Sequence, residues 1–186
     1  MYLRNLITLF LLFNIYSFYN SKEAKEEYCI ESIKSSSLLF KMKKDMLIAL
    51  KCYQDKYGYW SSVGDNNGKI EDKKNWYYVR KGFIGDHTIS LESSVQEGYF
   101  WRATGSGLKL DKYEYSDVFL KEASFIPTAG IEDYLLLSLR SYAHPKNYVR
   151  HYRGRIMASG HKAFDDFDRD ATWKVVTPKD VGLDLE

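Results

Sequence analysis

Cysteine is scarce in this 186-residue chain: there are two, Cys29 and Cys52. That excludes a disulfide-dense scaffold and a four-cysteine zinc site. Proline numbers three and glycine twelve, so the chain is neither collagen-like nor a flexible linker. An excess of one charge is also missing. The net charge is +2, from 27 basic and 25 acidic residues, too mild for a phosphate-backbone binder working by electrostatics alone. Aromatic residues are abundant: 16 Tyr, 10 Phe and 4 Trp, in a chain 45% hydrophobic. This is enough to bury a core and fits one domain, or one domain with an extension.

Residues 1–20 read MYLRNLITLFLLFNIYSFYN. One charge, Arg4, precedes a mainly apolar run from Leu6 to Ile15, the pattern of a secretory signal peptide. The run is shorter than the roughly 20 residues of a comfortable membrane span. Tyr16 to Asn20 offers no clean small-x-small cleavage site, so an uncleaved signal anchor is the alternative. Only that alternative would give the chain a membrane contact. Residues 21–45 form a polar, Lys/Glu-rich lead-in, expected to be a short helix or disordered. Its basic run, Lys41, Lys43 and Lys44, reads as a solvated face before it reads as a polyanion site. In an oxidising compartment Cys29 and Cys52 could pair; two free thiols are the other reading.

From residue 46 the chain repeats. A shift of 48 places Ser90, Leu91 and Ser93 on Ser138, Leu139 and Ser141. Without a gap it also places Arg102 on Arg150, Asp117 on Asp165, Phe119 on Phe167 and Ala123 on Ala171. A weaker copy lies upstream: Ile48-x-Leu50 matches Ile89-x-Leu91, Tyr59-Trp60 matches Phe100-Trp101, and Asn75-Trp76 matches Ser124-Phe125. The copies span about 46–86, 87–132 and 133–180. Short apolar segments such as Leu135–Arg140, Tyr148–Tyr152, Arg155–Ala158 and Thr172–Val176 are divided by turn residues and read as strands. Four strands in each of three copies predict an all-β chain and a β-trefoil; a β-sandwich is the runner-up. The anchors Leu50, Leu91 and Leu139, with Trp76, Phe125 and Trp173, are the expected core.

Most motif chemistry fails on inspection. Asp166, Asp168 and Asp170 alternate, yet an EF-hand loop begun at Asp166 would meet Ala171 and Thr177 where it needs Gly and Glu. Gly105-Ser106-Gly107 lacks the remainder of a phosphate loop and fits a hairpin turn. His87, His144 and His161 have no zinc spacing with the cysteines. No G-x-S-x-G elbow occurs. No metal and no cofactor is expected.

The third copy, Ser138-Leu139-Arg140-Ser141 through Tyr148-Val149-Arg150-His151-Tyr152 and closing on Phe167-Asp168-Arg169-Asp170-Ala171-Thr172-Trp173, resembles a known family. It is similar to the arabinose-binding domain of α-L-arabinofuranosidase B, the family 42 carbohydrate-binding module. The resemblance spans about 46–178, is specific in the third copy, partial in the second and faint in the first. It implies a β-trefoil, in agreement with the repeats. It also implies that His151 and Asp170 hydrogen-bond the hydroxyls of an arabinofuranosyl side chain. A carboxylate accepts from hydroxyls, and a neutral imidazole donates or accepts. Tyr152 is a further candidate contact. In the second copy the corresponding positions hold Ala103 and Glu122, a degenerate pocket; in the first, Ser62 stands at the His position and no Asp aligns.

The expectation is a secreted, lectin-like module that binds carbohydrate through one pocket and carries out no catalysis, the family's catalytic domain being separate. The alternative is a trefoil that has lost sugar binding and docks another protein. Nucleic-acid or membrane-surface binding through Lys41–Lys44 and Arg150, Arg153 and Arg155 ranks last.

Overall fold

The computed structural model describes residues 44–62, 66–105, 107–161 and 165–183. The apolar segment 1–20, Cys29 and nearly all of the lead-in lie outside the described residues. Among the described residues twelve strands dominate. They are β1 (Leu47–Cys52), β2 (Tyr59–Ser62), β3 (Gly68–Glu71), β4 (Tyr77–Lys81), β5 (Ile89–Ser93), β6 (Tyr99–Thr104), β7 (Gly107–Lys112), β8 (Phe125–Ala129), β9 (Leu137–Ser141), β10 (Asn147–Tyr152), β11 (Arg155–Gly160) and β12 (Trp173–Val176). Two short helices interrupt them, α1 (Asp117–Glu122) and α2 (Phe167–Asp170). The strands read from sequence in the third copy fall within two residues of β9 to β12.

All the pairings are antiparallel, and their pattern recurs every four strands. β1, β4, β5, β8, β9 and β12 pair in a ring that closes on itself through β12 and β1. Closure leaves these six strands no free edge. The hairpins β2–β3, β6–β7 and β10–β11 hang from β1, β5 and β9.

The core follows the strand alternation. Leu50, Leu91 and Leu139 are fully buried, as are Phe125 and Trp173. Trp60 centres the packing, its ring 5.3 Å from Trp101 and 5.4 Å from Trp173. Trp76 is not the core anchor of the first copy. Its neighbour Tyr77 is, at 1% exposure, with its hydroxyl donating to the Trp60 carbonyl at 3.1 Å. Tyr77 lies opposite Ile48, as Phe125 lies opposite Ile89 and Trp173 opposite Leu137. The sequence match Asn75-Trp76 was one residue out of register, and in a strand one residue changes the face.

Most of the repeated small residues are structural. Ser90 and Ser138 each donate at 2.7 Å to the carbonyl of the equivalent Ala123 or Ala171. Ser93 and Ser141 accept from the turn amides of Gln96 and His144. Ser124 and Thr172 donate to the carbonyls of Leu120 and Asp168, and accept from the Ile84 and Glu132 amides. Each copy-two bond has its counterpart in copy three, so these identities are explained without a ligand.

Cys52 is the cysteine that the structure describes. It is a free cysteine at the inward-facing end of β1, fully buried in the core, while Cys29 lies outside the described residues. Burial, with the Asp170 charge nearby, pushes its thiol up to about 12, so it stays protonated and unreactive.

Candidate functional site

β10 and α2 bring the two residues singled out in the third copy together. His151 sits near the end of β10, on the inward face with Val149, its ring 6.1 Å from that of Trp173. Asp170 is the last residue of α2, a single turn seated by the buried Phe167. The sequence reading missed both helices because six and four residues are too few to show a helical period. α1 is fixed locally: the Ser116 hydroxyl accepts from the Phe119 amide and caps it.

Asp170 Oδ1 lies 3.4 Å from His151 Nε2, and Asp170 Oδ2 accepts from Arg150 Nη2 at 2.7 Å. A second carboxylate, Asp165, takes Arg150 Nη1 at 2.9 Å. The Arg150 guanidinium is flanked by the Phe167 and Tyr152 rings, each 5.0 Å away. Arg150 is only 2% exposed. Sequence reading had set it among surface basic residues; it is instead the buried cation that orients Asp170. A signal was present in the repeat, where Arg102 falls on Arg150.

His151 Nε2 is buried and makes no hydrogen bond among the described residues, although it faces the carboxylate. Burial holds the imidazole below its ordinary 6.5, partly offset by the Asp170 charge and reinforced by Arg150. His151 is therefore neutral at neutral pH. Tyr57, from the turn after β1, lays its ring 4.9 Å from that of His151 and is 39% exposed. It packs against the imidazole. No repeat signal marked Tyr57, because its equivalents are Gly98 and Lys146. Tyr152 alternates to the face of β10 that Arg150 occupies, with its ring between Arg150 and Arg153.

The second copy builds the same scaffold with different ends. Arg102 reaches Glu122 Oε2 through Nη2 at 2.6 Å and Nε at 3.2 Å, and Asp111 through Nη1 at 3.0 Å. It lies over Phe119 at 4.9 Å, as Arg150 lies over Phe167. Ala103 stands at the His151 position and is fully buried in the core cluster. That position offers neither a donor nor an acceptor side chain. In the first copy Ser61 and Ser62 take the Arg and His positions; Ser61 is buried and accepts from Asn75.

Comparisons with known proteins agree on the lineage. The α-L-arabinofuranosidase B (ABFB) domain model matches residues 50–175. An arabinofuranosidase/β-xylosidase of Trichoderma koningii is 29% identical over 56% of this chain and 20% of its own length. A probable α-L-arabinofuranosidase B of Aspergillus clavatus is 31% identical over 57% of this chain and 22% of its own. The match thus spans about a fifth of these curated relatives. Among solved structures, an arabinofuranosidase complexed with arabinofuranosyl-α-1,2-xylobiose superposes with a TM-score of 0.63 at 21% identity, over 74% of this chain and 32% of that one. The BEL β-trefoil superposes with a TM-score of 0.55 at 12% identity, over 72% of this chain and 93% of that one. These two likenesses concern the fold alone. On the match to residues 50–175, the chain belongs to the α-L-arabinofuranosidase B (ABFB) domain family.

Proposed function

We propose that this domain is a non-catalytic carbohydrate-binding module, a three-repeat β-trefoil whose third copy holds the sugar. The observation that carries the reading is the pair at the end of β10 and α2. Asp170 Oδ1 faces a buried imidazole nitrogen that has no hydrogen bond among the described residues, while Oδ2 is held by Arg150. An unsatisfied buried nitrogen costs about 1–3 kcal/mol. A sugar hydroxyl placed between the two groups would donate to the carboxylate and engage the imidazole, removing that cost. Arg150 supplies the rigidity: a carboxylate already fixed loses little freedom when a hydroxyl binds.

Arabinofuranosyl side chains are the first ligand to test, given the arabinofuranosidases among the relatives. Tyr57 must tilt away to admit a furanose, and its ring can then pack against the sugar. One pocket on its own gives no avidity, so binding to a single side chain is weak. The export pattern of residues 1–20 supports an extracellular setting, where such polysaccharide is met.

The test is titration of the full chain with arabinofuranose-decorated polysaccharide beside an undecorated backbone. Saturable binding to the decorated form, lost in His151→Gln while folding is retained, supports the reading. Binding that His151→Gln leaves unchanged overturns it, as does none at all by the folded wild type. Either result would favour the protein-docking alternative.

A further inference from the structure

The turn that carries Tyr57, residues 53–58 between β1 and β2, has a second contact with the third copy that the sugar reading does not use. Asp55 Oδ1 accepts at 2.9 Å from Lys51 Nζ on β1 and at 2.9 Å from Lys174 Nζ on β12. The two lysines lie opposite each other, so one carboxylate oxygen closes a triad across the seam between the first and third copies. Hydrogen bonds from both lysines hold the Asp55 carboxyl at about 2, so it is ionised throughout the neutral range. The Tyr57 amide donates to the Gln54 carbonyl at 3.0 Å, which joins Asp55 and Tyr57 in one small unit.

The other two copies hold this turn differently. Ser93 and Ser141 accept from the amides of Gln96 and His144, three residues on, at 3.2 and 3.1 Å. In the first copy the same positions are Cys52 and Asp55. A thiol is a weak acceptor in place of a hydroxyl. The first turn has an ion triad where the others have a serine staple, and its Asp55 side chain is 67% exposed. The far end of the turn is fixed. Gly58 lies so close to β3 that a Cβ there would fall 2.0 Å from the Glu71 carbonyl oxygen.

We infer that this turn is a gate over the third-copy pair, with Asp55 as its latch: through Lys51 and Lys174 it positions Tyr57 against His151. As a role in ligand binding, this rests on the sugar reading above. His151 is 4% exposed and Tyr57 39%, so the tyrosine is the outer of two touching rings. Swinging it away uncovers His151. An exposed ion pair is a weak bond. A latch of that strength keeps the gate mostly shut and lets it open without unfolding the barrel. Asp55 touches no ligand in this account; it is a positioning residue.

The experiment is modification of the full chain by diethyl pyrocarbonate, read at each histidine by peptide mass spectrometry. His87, His144 and His161 are exposed and serve as internal standards. His151 should react more slowly than these, and Tyr57→Ala should speed it most. Asp55→Asn should speed it about two- to fivefold, the population change that one exposed ion pair commands. Asp55→Glu, which keeps the charge, should restore most of the protection. In the Tyr57→Ala background Asp55→Asn should add nothing, because the latch acts through that ring. An unchanged His151 rate in Asp55→Asn or in Tyr57→Ala overturns the inference. So does an equal increase from Asp55→Asn when Tyr57 is already gone, or a rise at all four histidines. None of these readings involves a sugar. Arabinofuranose-decorated polysaccharide added to the wild type tests the other reading separately: if it fails to protect His151, the sugar is ruled out and the latch stands.

Discussion

The second and third copies share a frame and differ at its tip. Both hold an arginine over a phenylalanine, Arg102 on Phe119 and Arg150 on Phe167, and both pair it with the acid at the end of a short helix. The third copy buries its arginine to 2% exposure, whereas the Arg102 side chain remains 18% exposed. The third places a histidine against the acid, and the second puts Ala103 there, inside the core. The arginine–acid frame is thus built in both repeats, with a histidine beside the acid in one and an alanine in the other. The arginine–acid pair is architecture, and the histidine makes the difference in chemistry.

The largest expected contrast is in stability. Arg150→Ala removes a buried cation and leaves Asp170 buried beside it, a loss of about 3–5 kcal/mol. Arg102→Ala, at a wetter site, should cost about 1–2 kcal/mol. Urea denaturation of the two variants reads this directly, and equal losses would break the comparison. The reciprocal exchange is next. Ala103 is fully buried, so Ala103→His overpacks the core and should destabilise by about 1–3 kcal/mol. A neutral result would mean that the second pocket still has room for the missing ring.

Smaller effects should be shared between the copies. Ser90→Ala and Ser138→Ala each delete one buried 2.7 Å bond to an alanine carbonyl. Each should lose about 1 kcal/mol, and by similar amounts. A loss in one copy alone would show that the repeat is less symmetrical than its hydrogen bonds. The smallest signal is a titration. His151 should titrate below 6.5 by imidazole NMR, because burial disfavours its cation. The unfolded histidine then binds a proton first, so the contribution of neutral His151 to stability is present above about pH 6.5 and is lost as pH falls towards the folded value. A measured value above 6.5 would mean that the Asp170 charge outweighs burial.

Much of the frame was legible in the sequence, since a fixed shift of 48 preserves the inward-facing residues of the second and third copies. The first copy was harder. Its shorter span let Trp76 align where Tyr77 belongs, and strand alternation turned a one-residue error into the wrong face. His151 and Asp170 were legible through the family resemblance. The groups around them were not. Arg150 has the composition of a surface residue, and only its two carboxylates and two rings account for its burial. Tyr57 comes from the first copy to pack against a residue of the third, a long-range contact that no local pattern encodes.

The most direct test sets the two acids against each other. The full chain, its Asp170→Asn variant and its Glu122→Gln variant would be titrated with the same arabinofuranose-decorated polysaccharide, with folding checked for each. A working third pocket and a degenerate second one predict that Asp170→Asn weakens binding tenfold or more, the worth of a hydrogen bond to a charged group, while Glu122→Gln leaves it within about twofold. Equal losses, or a loss confined to Glu122→Gln, would contradict the assignment of the sugar to the third copy.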